Sequence, residues 1–157
     1  MRIFIVGGSS GIGLSLAKRY AKLGNEVAIC GTNEDKLKKI EENNKNIKIY
    51  KVDVRNKEEL KCAIEDFSNG NLDLIINSAG IYTNNRTKKL TDKEAYAMID
   101  INLTGVLNTF EAVRDMMFKN NRGHIAIVSS VAGLLDYPKA SVYARTKTVS
   151  YTHLSLI

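Results

Sequence analysis

Proline is nearly missing from this chain, with one in 157 residues, and no long polar low-complexity tract accompanies it. A disordered segment is therefore not expected. Cysteine is scarce too. Cys30 and Cys62 stand far apart, outside any Cys-x-x-Cys or Cys/His pattern. That spacing excludes a disulfide framework and offers no metal-ligand set, and free thiols suit a reducing compartment. Long apolar runs are also lacking. The first, Ile3–Val6, is too short for a signal segment or a membrane span. No membrane partner is expected, and the expected location is cytoplasmic. There is no internal repeat. Nor does one sign of charge dominate locally, although 23 Lys+Arg against 17 Asp+Glu give a formal net charge of +6. Lys36, Lys38 and Lys39 sit beside Glu34, Asp35, Glu41 and Glu42, the mixture of a solvated surface, so no nucleic-acid partner is expected.

What remains is an ordinary globular balance, 44% hydrophobic and 25% charged, on a length that fits one domain. Two hydrophobic periods alternate along it. Ile3–Val6 is uninterrupted, as in a parallel strand buried on both faces. Leu16, Ala17, Tyr20, Ala21 and Leu23 then recur at helical spacing, closed by Gly24-Asn25. Val27–Cys30 is a second strand, and Thr32-Asn33-Glu34-Asp35 opens a helix with cap-forming and acidic residues. Ile47–Val52 alternates, as an edge-like third strand would. Leu60, Ala63, Ile64 and Phe67 mark a helix, and Leu72–Ile76 a fourth strand. Glu94–Asp100 reads as helical and leads into a long helix striped by Val106, Phe110, Val113 and Met117. Gly123 introduces a fifth strand, His124–Val128, and a last helix is expected to start near Ala140 or Ser141. Such alternation predicts βαβ units and the α/β class: a Rossmann-like, doubly wound parallel sheet in the order 3-2-1-4-5.

The segment between the first strand and helix is Gly7-Gly8-Ser9-Ser10-Gly11-Ile12-Gly13. Gly7 can turn sharply out of the strand, Gly11 lets backbone approach a pyrophosphate, and Gly13 lets the helix pack closely. The helix N-terminus adds unpaired N–H groups and a partial positive charge. A turn without a ligand is the alternative. Further down, Tyr143 and Lys147 are four apart and share one helical face. A nearby ammonium favours a phenolate. Ser130 lies thirteen residues before Tyr143, at the C-terminal end of a strand, where α/β sites form. Taken alone, Tyr-x-x-x-Lys is usually a surface pair, Asn102 a buried hydrogen-bonding Asn, and Ser129-Ser130 a strand end.

Together these residues resemble the short-chain dehydrogenase/reductase family. The likeness rests on the Gly-x-x-x-Gly-x-Gly loop, Asp53-Val54 after strand three and Asn77-Ser78-Ala79-Gly80 after strand four. Ile101-Asn102-Leu103, Ser129-Ser130 and Tyr143-Ala144-Arg145-Thr146-Lys147 complete it, over Arg2 to about Thr148. Val6 stands where the family usually has Thr, and Ser78 where it has a second Asn. The resemblance implies an NAD(P)-dependent oxidoreductase acting on a small carbonyl or alcohol, homodimeric or homotetrameric at full length. In it Tyr143 is the acid/base, Ser130 orients the substrate oxygen, and Lys147 tunes Tyr143 and grips the nicotinamide ribose. Asn102 holds a relay water. Gly7, Ser9, Ser10, Gly11, Ile12, Gly13, Thr32, Asp53, Val54, Asn77, Ala79 and Gly80 meet the cofactor together with Tyr143 and Lys147. Asp53 meets the adenine, and Asn77 braces the sheet. No metal is expected.

The cofactor's identity turns on an absence. An acid about 20 residues past the loop would bind the ribose 2′-hydroxyl of NAD, but Gly31 and Thr32 stand at the end of strand two. With no acid to repel a 2′-phosphate, and Lys36 and Lys39 near in sequence, the balance favours NADP over NAD. Thr32 is alternatively a helix cap. Residues 1–148 are read as one nucleotide-binding domain incomplete at its C-terminus, and residues 149–157 as a non-native tail. Leu134, Leu135, Tyr137 and Pro138 are candidate substrate-entrance residues. A non-catalytic fragment that at most binds nucleotide is the alternative function, and a nucleotide-sensing regulatory protein a third.

Overall fold

The computed structural model describes residues 1–83, 89–135 and 141–152, the side chains of 149–152 excepted. Tyr137, Pro138, Ala140 and residues 153–157 lie outside this set, and with them part of the expected entrance and tail. Five parallel strands, β1 (Arg2–Val6), β2 (Glu26–Gly31), β3 (Ile47–Lys51), β4 (Leu74–Asn77) and β5 (His124–Ile127), form one sheet in the order β3-β2-β1-β4-β5. Helices α1 (Gly11–Lys22), α2 (Glu34–Asn43), α3 (Lys57–Ser68), α4 (Asp92–Ile99), α5 (Gly105–Asn120) and α6 (Ser141–Thr152) flank it. This is the doubly wound architecture that the two alternating periods predict.

The strand period of two divides β1 between two cores. Ile3 and Ile5 face α1 and α2, where they meet Ala17, Leu37 and Ile40. Phe4 and Val6 face α3 and α5, where they meet Leu60, Ile64 and Val113. All four β1 side chains are buried, each stabilising the fold by roughly 1.5–3 kcal/mol. Burial on both faces is why the strand reads as a continuous apolar run.

Several details differ from the sequence reading, among them the ends of β3, β5 and α4 by one or two residues. β4 starts at Leu74 rather than Leu72: Leu72 is buried, but Asp73, whose carboxylate accepts from the Arg2 backbone N–H, intervenes. The cap of α2 is Asn33, which accepts from the Lys36 N–H, so Thr32 is not a cap. The helix from residue 92 to 120 also carries one wide π-helical turn, Asp100–Thr104, in which the Gly105 N–H reaches back five residues to the Asp100 carbonyl. That turn contains Asn102.

Candidate active site

Three segments converge at the C-terminal ends of β1, β2 and β4. Gly7 leaves β1 at φ +76°, and the Gly7 and Gly8 N–H groups donate to the Cys30 carbonyl at the end of β2. A Cβ at Gly7 would lie 2.5 Å from the Ala79 nitrogen, and one at Gly13 would lie 2.5 Å from the Gly7 carbonyl oxygen and closer still to Ser78 Oγ. The loop thus needs bare backbone on both sides to nest between α1 and the end of β4. Ser78 Oγ seals the join by donating to the Val6 and Gly7 carbonyls. The family's more usual Asn there is not required for this tie.

Gly11, at φ +53°, opens the other way. A Cβ there would meet nothing within 4 Å. It borders a cleft of about 400 Å³ lined by every residue of the 7–13 loop except Gly8, and by Thr32, Asp53, Val54, Ala79 and Gly80. Ser10 ends the loop as the N-cap of α1 with no side-chain cap bond, and no acid occupies the first turn. The first-turn amides and the helix dipole therefore face the cleft with no acid of their own helix to neutralise them. This open cradle fits a pyrophosphate.

At the far wall Asp53 is gripped by Arg55, whose Nε lies 3.0 Å from Oδ1 and whose Nη2 lies 2.5 Å from Oδ2. The guanidinium holds the Asp53 carboxyl below its usual range. Asp53 and Arg55 are the charged residues among the described lining. Arg55 was not anticipated, and its position two residues after Asp53 is the one signal that would have found it. α5 anchors this wall: Asn108 Nδ2 donates to the Val54 carbonyl, and Gly105 packs against the Val54 side chain. Burial pushes the Cys30 thiol, also on the lining, up to about 12, which leaves it protonated.

Asn77 does not line the cleft. Its buried amide donates to Thr109 Oγ1 at 2.7 Å and to the Gly105 carbonyl, while its Oδ1 accepts from the Ala79 N–H at 3.0 Å. It ties the sheet to α5 and shapes the turn that delivers Ala79 and Gly80.

The Tyr143–Lys147 helix docks beside Gly80. Lys147 Nζ comes within 3.4 Å of where a Gly80 Cβ would stand, and donates to the Val128 carbonyl at 3.1 Å. Ser129 Oγ donates to the Lys147 carbonyl, and Thr148 Oγ1 to the Gly133 carbonyl. Three polar ties thus pin α6 to the end of β5 and the 3₁₀ turn Val131–Gly133 that follows. Ser130 caps that turn through its Oγ, which accepts from the Ala132 N–H. Lys147 is buried, and desolvation pushes its ammonium below the ordinary lysine value. Its Nζ lies 5.9 Å from the Tyr143 ring centre. Asn102 is fully buried. Its Oδ1 accepts from the Ile81 N–H at 2.8 Å, and its Nδ2 donates to the Ile81 carbonyl at 2.9 Å and to Thr146 Oγ1. Tyr82, unremarked in the sequence, lies against Tyr143.

A glycine cradle on the first βα turn of a parallel sheet, with a Tyr–Lys helix at its rim, defines a Rossmann-type α/β fold. The chain belongs to the short-chain dehydrogenase family, whose model matches residues 1–152. It is 39% identical to an uncharacterized oxidoreductase of Listeria monocytogenes over 92% of this chain and 61% of that protein. It is 32% identical to one of Staphylococcus aureus over 94% of this chain and 66% of that protein. The chain thus spans 61–66% of the length of these curated relatives. Among solved structures it is similar to the serine dehydrogenase of Escherichia coli, with a TM-score of 0.89 and 26% identity over 96% of this chain and 71% of that one. ElxO with NADP bound superposes at TM-score 0.87 with 28% identity, over 94% of this chain and 62% of that one. No helix among the described residues is long and apolar enough to cross a membrane.

Proposed function

We propose that this chain carries the cofactor cradle and acid/base centre of an NADP-preferring oxidoreductase that interconverts a carbonyl and a secondary alcohol. The observation that carries this reading is the join between the open cradle at Gly11 and the Tyr143–Lys147 helix, made where Lys147 Nζ crosses Gly80. The nicotinamide dinucleotide, when bound, supplies or accepts the hydride. The α1 amides hold its phosphates, Asp53 and Val54 take the adenine end, and the backbone at Ala79 and Gly80 lets the ribose approach. Ser130 orients the substrate oxygen, to which Tyr143 gives a proton during reduction and from which it removes one during oxidation. Lys147 sets the charge beside the phenol and holds ribose hydroxyls. Asn102 clamps the Ile81 backbone through its side-chain amide and holds the water that relays protons to Lys147.

The NADP preference is supported by a lining with no acid at Gly31 or Thr32, and by the compensation of Asp53 by Arg55. Titrating NADPH and NADH against the intact protein tests it, with NADPH binding tighter. The mechanism is tested by Tyr143→Phe in the intact protein. Turnover is expected to fall by about 10²- to 10⁴-fold, while dinucleotide affinity stays within about threefold. Near-normal turnover would remove Tyr143 from the reaction.

A further inference from the structure

The segment that follows Gly80 bears directly on which carbonyl compound is accepted. Its backbone is clamped at Ile81 from both sides by the buried amide of Asn102, so the next residue, Tyr82, is delivered from a fixed point. The Tyr82 ring lies 4.9 Å, centre to centre, from the Tyr143 ring at an interplanar angle of 56°, inside the range of attractive aromatic pairs. Yet half of Tyr82 remains exposed. A second exposed apolar surface is the turn after Ser130. Its Val131, Leu134 and Leu135 are each more than 60% exposed, and the turn is tied to α6 through Thr148 and Gly133. An aryl or alkyl group held beside Tyr143 would shed water against the Tyr82 ring.

We propose that Tyr82 is a specificity-determining residue, whose ring forms the wall against which the group attached to the reacting carbonyl packs, and that the accepted class is aryl or bulky apolar ketones and aldehydes. This rests on the oxidoreductase reading above. The Tyr82 ring is the immediate aromatic neighbour of the Tyr143 ring, and the tilted ring pair leaves half of Tyr82 exposed to extend that contact to a bound substrate.

The test uses the intact protein with NADPH and three probes: acetophenone, 2-butanone and pyruvate. Acetophenone is expected to show the highest kcat/KM, and pyruvate the lowest. Tyr82→Ala should lower kcat/KM for acetophenone by about five- to tenfold, the size of one aromatic contact, and for 2-butanone by less than about twofold. Tyr82→Phe should keep the wild-type ratio. A role confined to packing Tyr143 would lower both ketones alike, and that result, or a preference for pyruvate, overturns the proposal while leaving the oxidoreductase reading intact. NADPH binding without turnover of any probe overturns both.

Discussion

Lys147 shows at the scale of one residue how stability and the proposed chemistry diverge. Its ammonium is buried, and it donates to a neutral carbonyl, that of Val128. Burial lowers its folded value below that of the unfolded chain. Below the folded value, both states carry the proton and folding bears the cost of desolvating it. As pH rises from there towards the ordinary lysine value, the unfolded chain holds more protons than the folded one, so stability increases through that window. Lys147→Met should abolish this rise and stabilise the fold at pH 7 by about 1 kcal/mol. Urea titrations at neutral and alkaline pH would show both effects, and turnover in the same variant should be lost. The Tyr-x-x-x-Lys spacing was readable in the sequence because a helix puts i and i+4 on one face. The burial of Lys147 was not, since it depends on Val128 and Gly80, far away in the chain.

Between elements, the glycine loop separates two jobs that its sequence presents together. Gly13 is required by packing, because a Cβ there would lie 2.5 Å from the Gly7 carbonyl, a backbone atom with no room to yield. Gly11 is required by conformation and by access, at φ +53° with open space around it. Gly13→Ala should therefore destabilise the protein by about 1–3 kcal/mol. Gly11→Ala should cost about 1 kcal/mol of strain but weaken dinucleotide binding, because Gly11 borders the cleft and the strain distorts the loop there. Denaturation midpoints and NADPH titrations on the same pair of variants would reveal an inverted order in the two assays. A larger stability loss at Gly11 would contradict this division. The π-helical turn at Asp100–Thr104 is the element the sequence concealed. Asp-Ile-Asn-Leu-Thr has no Pro, Gly or charge break to mark it, and its register is visible only in the reach of the Gly105 N–H to Asp100.

For the whole molecule, one central strand serves two cores. Phe4 packs with the α3 and α5 side, and Ile5 with the α1 and α2 side. Both are completely buried. Phe4→Ala should destabilise by about 3–5 kcal/mol and Ile5→Ala by about 2–5 kcal/mol. If the two cores unfold as one unit, each variant lowers the urea midpoint in a single transition with an unchanged slope. Two separated transitions would show the faces to be independent. Local periodicity, backbone permissiveness and fixed helical spacing were enough to place the class of fold, the glycine loop, the tyrosine and the lysine; the strand order followed from the doubly wound pattern that this class adopts. The tertiary structure alone decided that Asn33 rather than Thr32 caps α2, that Arg55 grips Asp53, that Asn77 braces α5, and that Asn102 sets Tyr82 against Tyr143. A hydrogen-bond partner distant in the chain leaves no period in the sequence; it exists only once the crossovers have brought the strand ends to one side of the sheet.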